Sequence, residues 1–246
     1  MKTKSPAVKQ SKHTSSFEQE REEMHRSILS SVSHDLKTPL ACIIGSLEIY
    51  ERAKEKLPPE KKNALIDTAL EEAYRLDSFI TNILDMARFE NNAVEIKKEL
   101  YIMDLLLEDC LIMLGHRLSE CKVYIQAIPA TFAVTTDPVL LMRAICIILD
   151  NAAKYCSDGT VINVEYERIG EQTIIRIQDN GPGIKESELE PIFSKYTRYS
   201  TEDFKHAGTG LGLPICREIM RLLGGTVTAA NLADGKGAVF TLTFTA

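Results

Sequence analysis

From Phe17 to about Glu90, apolar residues recur at intervals of three or four. Met24, Ile28, Val32, Leu36, Leu40, Ile43, Leu47 and Tyr50 make one stripe. Leu65, Ala69, Ala73, Leu76, Ile80, Ile83 and Ala87 make a second. That period marks one buried face on each of two helices. Between them lies EKLPPEKK, where Pro58 and Pro59 stop the first helix and Glu60 restarts a second. Two long helices joined by a short turn form an antiparallel hairpin. A single hairpin buries only one side of each helix, whereas two hairpins close a four-helix core. The pattern therefore predicts a homodimer through residues 17–92.

After NNAVEIK the period changes. YIMDLLLEDCLIMLGHRL reads as a helix, KVYIQAI as a strand, and TDPVLLMRAICIILDNAAKYC as a helix capped by Asp137 with Pro138 in its first turn. VINVEYER and QTIIRIQDN alternate as paired strands do. GLGLPICREIMRLLGG reads as a helix ended by Gly224 and Gly225, and TVTAANL and GAVFTLTF close the chain as antiparallel strands. The expected fold is α+β: a helical hairpin followed by an α/β sandwich. The expected divisions are a tail at 1–16, the hairpin at 17–92 and the sandwich at 93–246.

Composition narrows the class without changing this outline. The chain has 246 residues, 44% hydrophobic and 26% charged, as a folded globular protein does. A net charge of −6 argues against a general nucleic-acid binder. No apolar run approaches the roughly 18 residues of a membrane span. The N-terminal MKTKSPAVKQSKHTSS is polar and lacks the apolar core of a secretory signal. The chain reads as cytoplasmic, either by itself or as the cytosolic part of a membrane-anchored sensor. Its six cysteines are scattered, without a C-x-x-C pair, and read as reduced core or near-surface thiols.

The first helix carries SVSHDLKTPL, residues 31–40. At about 100° per residue, His34 lies about 200° from Val32 and points away from the seam. Thr38 follows one turn later on the same face, and Asp35 is adjacent to the imidazole. Pro39 cannot bond to the Asp35 carbonyl and should loosen the helix there. A surface histidine beside a tolerated kink would look the same.

In the second region, IQDNGPGI ends a strand in Asp179 followed by Gly181 and Gly183, an acceptor at the mouth of a pocket or a capped turn. HAGTGLGLPI runs from glycines into a helix, a place where free N–H groups take phosphate. It is neither a Walker A sequence nor a dinucleotide fingerprint. Between the two runs, EPIFSKYTRYSTEDFKH carries Lys195, Arg198 and Lys205 and reads as a lid. Asn151 and Lys154 lie three apart on one helix face with Tyr155 beside them, an amide oxygen suited to Mg²⁺ and a cation suited to phosphate.

Together these runs resemble the sensor histidine kinases of two-component signalling. HDLKTPL resembles the phosphoacceptor box, LDNAAKY the asparagine box, DNGPGI the first glycine box, IFSKYTR the phenylalanine box, GTGLGLPI the second glycine box and GKGAVFTL the final glycine-containing strand. They occur in family order, and SVSHDLKTPL is most similar to the branch that includes potassium-responsive kinases. The resemblance implies a dimeric four-helix bundle followed by an ATP-binding domain of the GHKL (Bergerat) type. It implies ATP and Mg²⁺ as ligands and the receiver domain of a response regulator as partner. His34 would be the nucleophile, Asp35 the acid that orients it and accepts its proton, and Thr38 the residue that positions water for dephosphorylating the partner. Asn151 would coordinate Mg²⁺, Lys154 would contact phosphate and Tyr155 would line the site. Asp179 would accept from the adenine amine, Gly181 and Gly183 would shape that end, and Phe193 would anchor a lid carrying Arg198. Gly208, Thr209, Gly210, Leu211 and Gly212 would form its phosphate-side edge.

One position departs from the family pattern. Where a second asparagine usually stands one turn before Asn151, this chain has Ile147, which cannot touch metal or phosphate. Asp150 could compensate, although it points about 100° away from Asn151. Two further readings therefore stand beside an active kinase: a degenerate kinase serving as a docking or phosphotransfer scaffold, and another ATPase of the same nucleotide fold. The HDLKTPL hairpin opposes the last.

Overall fold

The computed structural model describes residues 33, 35–90, 94–115, 117–126, 132–155, 159–194, 210–233 and 235–245. Compactness divides the chain into two units, Met1–Thr81 and Asn82–Ala246.

In the first unit, helix α1 (residues 35–53) runs through Pro39, and α2 (Pro59–Glu90) follows the turn that the prolines predict. The stripe in α1 that is at least half-buried is Leu36, Pro39, Ile43, Ser46, Tyr50 and Ala53. Leu40 and Leu47, expected in that seam, are about half exposed, as is Ile44. On α2 the buried positions are Ala69, Phe79, Asn82, Met86 and Phe89, whereas Ala73, Ile80 and Ala87 are exposed. The helices are thus apolar over a wider arc than one partner can cover. Periodicity alone cannot say which part of such an arc faces the helix of the same chain.

The division between units falls inside α2, earlier than the composition change at residues 92–93. Arg143 Nη2 donates to Asn82 Oδ1 at 2.7 Å, and its Nε lies 3.3 Å from Asp85 Oδ2. These contacts lie within the second unit, between its part of α2 and α4.

The second unit is a sheet covered on one face by helices. Its strands and helices are β1 (Glu99–Ile102), α3 (Met103–Leu114), β2 (Lys122–Gln126), β3 (Ala133–Thr136), α4 (Pro138–Tyr155), β4 (Val161–Ile169), β5 (Gln172–Asp179), α5 (Gly212–Leu222), β6 (Thr226–Asn231) and β7 (Ala238–Thr245). Five strands lie in the order β2-β4-β5-β7-β6, with β2 parallel to β4 and the rest antiparallel. Ile162, Val164, Ile175, Ile177, Phe240, Leu242 and Phe244 are buried at alternate positions of β4, β5 and β7, and α4 and α5 pack on this sheet. The alternation along β5 carries Asp179 onto the same face as Ile175 and Ile177.

β1 and β3 pair as a separate two-stranded sheet that periodicity does not reveal. Each has four residues. β1 takes Tyr101 and Ile102 from the start of the segment that reads as helix. Asp137 caps α4 as predicted, its Oδ1 accepting from Leu140 N at 3.1 Å, while its Oδ2 accepts from Lys97 N at 2.9 Å.

Cys110, Cys146 and Cys216 are buried between helices and Cys42 is exposed. Burial pushes the Cys216 thiol up to about 12, and a hydrogen bond with Cys146 raises Cys110. Neither is a nucleophile near neutral pH. No helix of the described residues is long and apolar enough to cross a membrane.

Candidate functional site

The site residues of the second unit sit on three neighbouring supports: the end of β5, the last turns of α4 and the start of α5. Asp179 ends β5 and is only 8% exposed. Its Oδ1 accepts from Gly181 N at 2.9 Å and from Ala238 N at 3.2 Å. Among the described residues, nothing bonds its other oxygen. Asp179 therefore organises its own loop with one oxygen and offers the second. Asn180 faces elsewhere, its Oδ1 accepting from Val161 N at 2.8 Å.

Two residues that sequence reasoning did not single out build the wall behind Asp179. Gly237 has φ +99°, and a Cβ there would stand 2.1 Å from the Asp179 carbonyl oxygen. Asn231 holds Ile184, accepting from its N–H at 2.7 Å and donating to its carbonyl at 2.6 Å. Gly183, at φ +76°, lies against the same amide. The only signal in the sequence was the glycine pair in GKGAVF, which shows close approach but not to what.

On α4, Asn151 is half-buried, and among the described residues its amide has no hydrogen-bond partner. Lys154 is engaged, its ammonium paired with the Asp150 carboxylate one turn back. Asp150 is buried and also takes Arg117 Nη1 at 3.1 Å. The structure thus turns Asp150 toward Arg117 and Lys154, where both its oxygens are in use. Tyr155, beside them, is exposed.

Ile147 is 7% exposed, and its Cγ2 lies 3.3 Å from where a Cβ on Gly212 would stand. Gly212 is the first residue of α5, so the isoleucine seats the start of that helix on α4. Leu211 is buried and Gly210 half-buried.

Phe193 is buried, its ring edge-on to Phe240 at 6.4 Å. Arg217 of α5 lies over the Phe193 ring at 4.8 Å and donates to the Glu190 carboxylate at 2.7 Å and its carbonyl at 3.2 Å. Arg217, also unforeseen, fastens the segment before the expected lid to α5. In the first unit, Asp35 is half-buried and Thr38 exposed on α1. His34, Arg198, Gly208 and Thr209 lie outside the described residues.

This arrangement suits a nucleotide. An acceptor beside a glycine-lined wall suits a base amine, and the N–H groups that start an eleven-residue helix suit phosphate. The donor set also suits a hard cation. One amide oxygen on α4 could complete the shell of a Mg²⁺ ion held chiefly by phosphates and water.

Comparison with known proteins agrees with this geometry. The family of histidine kinase-, DNA gyrase B- and HSP90-like ATPases matches residues 136–246, and the His Kinase A (phospho-acceptor) domain matches residues 24–92. Sensor protein KdpD of Escherichia coli is 34% identical over 226 residues, covering 91% of this chain and 25% of KdpD. The solved structure of histidine kinase ThkA with response regulator protein TrrA aligns with a TM-score of 0.66 at 21% identity, covering 94% of this chain and 66% of that one. Acinetobacter baumannii histidine kinase AdeS aligns with a TM-score of 0.63 at 22% identity, covering 86% and 97%. A phosphoacceptor hairpin followed by an ATPase-type sandwich defines the class. The chain carries the phosphoacceptor and ATPase domains of histidine kinases, and the relatives it matches are sensor kinases of two-component signalling. It spans about a quarter of the length of the curated relatives it matches first.

Proposed function

We propose that this chain transfers the γ-phosphoryl group of ATP to His34 and then to an aspartate on the receiver domain of a response regulator. The observation that carries the ATP step is Asp179, buried, with one oxygen spent on its own loop and the other open. A neutral imidazole is a capable nucleophile near pH 7. Its ring nitrogen attacks the γ-phosphorus, the bond from that phosphorus to the ADP oxygen breaks, and Asp35 accepts the imidazole proton. Phosphoryl transfer asks the protein chiefly for placement and charge neutralisation. Asn151 would hold Mg²⁺, which neutralises the phosphate oxygens when bound. Lys154 reaches phosphate by exchanging Asp150 for it, so the Asp150–Arg117 pair keeps that lysine parked. Gly181 and Gly183 line the base end, Tyr155 lines the site, and Gly208, Thr209, Gly210, Leu211 and Gly212 form the phosphate edge. Phe193 anchors the lid that carries Arg198. Thr38, exposed one turn past His34, would position water for phosphatase action on the partner.

The working form is a homodimer through residues 17–92, with the nucleotide unit at 93–246 and a tail at 1–16. Leu40, Ile44 and Leu47 on α1 and Ile66, Leu70 and Tyr74 on α2 form a second apolar stripe that one chain leaves about half exposed. A second hairpin would cover it.

Incubating the chain with γ-labelled ATP and Mg²⁺, then adding a receiver domain, tests the reading. Label should enter the chain and then move to the receiver. Ile147 favours a second reading, a scaffold that holds nucleotide poorly, and no label on a folded dimer would support it. The Ile147→Asn chain is expected to gain about tenfold in Mg²⁺-dependent ATP affinity, the worth of one added charge-assisted contact. It is also expected to melt earlier, because a buried apolar contact with Gly212 is lost. Titration calorimetry with and without Mg²⁺ reads the first effect, and an unchanged affinity would remove Ile147 as a cause of weak binding.

A further inference from the structure

The loop after β5 is not held by strand pairing. The last β5–β7 pair is Gln178 with Val239, yet the backbone from Asn180 to Ile184 must keep a fixed wall beside Asp179. Its near end is pinned by the Asp179 carboxylate through Gly181 N and Ala238 N. Its far end is pinned by one side chain, Asn231, the last residue of β6. The amide bonds both the N–H and the carbonyl of Ile184, at 2.7 and 2.6 Å, as a neighbouring strand would. Its Oδ1 stands 3.0 Å, and the Gly235 carbonyl 3.2 Å, from where a Cβ on Gly183 would sit. The wall is therefore packed without slack against the β6–β7 connection.

We propose that Asn231 is a positioning residue that sets nucleobase selectivity. It acts through Ile184 and Gly183, and so fixes where a purine rests against the open oxygen of Asp179. This rests on the reading that Asp179 accepts from the adenine amine. A carboxylate favours a 6-amino purine and repels a 6-oxo one, and that discrimination requires the base to be held in register. Without the clamp the wall gives, and a 6-oxo base can shift away from the repulsion.

The test measures equilibrium dissociation constants of the full chain for ATP and for inosine triphosphate, its 6-oxo counterpart, together with thermal melting. Asn231→Ala is expected to weaken ATP about tenfold, as the loss of two hydrogen bonds would, with a much smaller change for inosine triphosphate. Asn231→Asp keeps the acceptor, loses the donor and preserves volume. It is expected to fall between, and it carries the test if the alanine variant melts too early. An unchanged ATP constant in both variants overturns the proposal, as does equal weakening of the two nucleotides, which would make Asn231 a residue of the fold alone. A parent chain that binds the two nucleotides equally would instead overturn the reading of Asp179, and the proposal with it.

Discussion

An Asp179→Asn chain is expected to bind ATP about a hundredfold more weakly than the parent while melting within a few degrees of it. The asparagine can keep its oxygen where Asp179 Oδ1 accepts from Gly181 and Ala238. That orientation leaves an amide N–H₂ where the open carboxylate oxygen was. A donor then faces the adenine amine, also a donor. A charge-assisted hydrogen bond worth about 1.5–3 kcal/mol is lost, and a buried donor is left unpaired in the complex. At about 1.4 kcal/mol per decade, the sum is near two decades. The same change should remove the penalty on a 6-oxo purine, so the preference between ATP and inosine triphosphate should vanish or invert. Calorimetric titration with both nucleotides checks it, and retained preference for ATP would mean the base is read elsewhere.

The second large effect is expected at Gly237, with Gly235 as its control. Both glycines have positive φ, +99° and +72°, and among the described residues nothing lies within 4 Å of a Cβ on Gly235. Gly235→Ala should therefore cost only the backbone penalty, about 1–2 kcal/mol, with ATP affinity close to the parent's. Gly237→Ala adds a Cβ 2.1 Å from the Asp179 carbonyl oxygen, and backbone cannot step aside as a flexible side chain would. Either β7 or Asp179 must move. We expect ATP binding lost beyond measurement and a melting temperature lower by about 10 °C, at roughly 2–4 °C per kcal/mol for a unit of this size. Equal behaviour of the two variants in melting and titration would show that the close approach does not matter.

Much of this was legible in the chain because the signals were local. The alternation in QTIIRIQD reports a strand with one covered face, and it carries Asp179 to that face without any knowledge of its neighbours. Asp137 before Pro138 reports a cap, and the cap is there. Glycines flanking acids report close approach. What escaped depends on contacts between distant segments. Asn231 looks like the end of an ordinary strand until Ile184, 47 residues earlier, is placed against it. Arg217 looks like the polar face of an amphipathic helix until Phe193 and Glu190 lie beneath it. β1 and β3 are too short for alternation to register. The hairpin stripe was found, but not its rotation, since Leu40 and Ile43 satisfy the same period. Lys154 was expected to be open to phosphate, and its parking on Asp150 follows from the i,i+4 spacing, which was visible.

The central claim is that His34 receives a phosphoryl group from ATP, and one measurement addresses it directly. The chain and its His34→Ala variant are incubated with γ-labelled ATP and Mg²⁺, and the label is tested for stability in acid and alkali. The account predicts label on the parent that acid removes and alkali does not, as for a phosphoramidate. It predicts none on the variant, although the variant binds ATP as the parent does. Label that persists in the variant, or that survives acid as a hydroxyl phosphoester does, would contradict it.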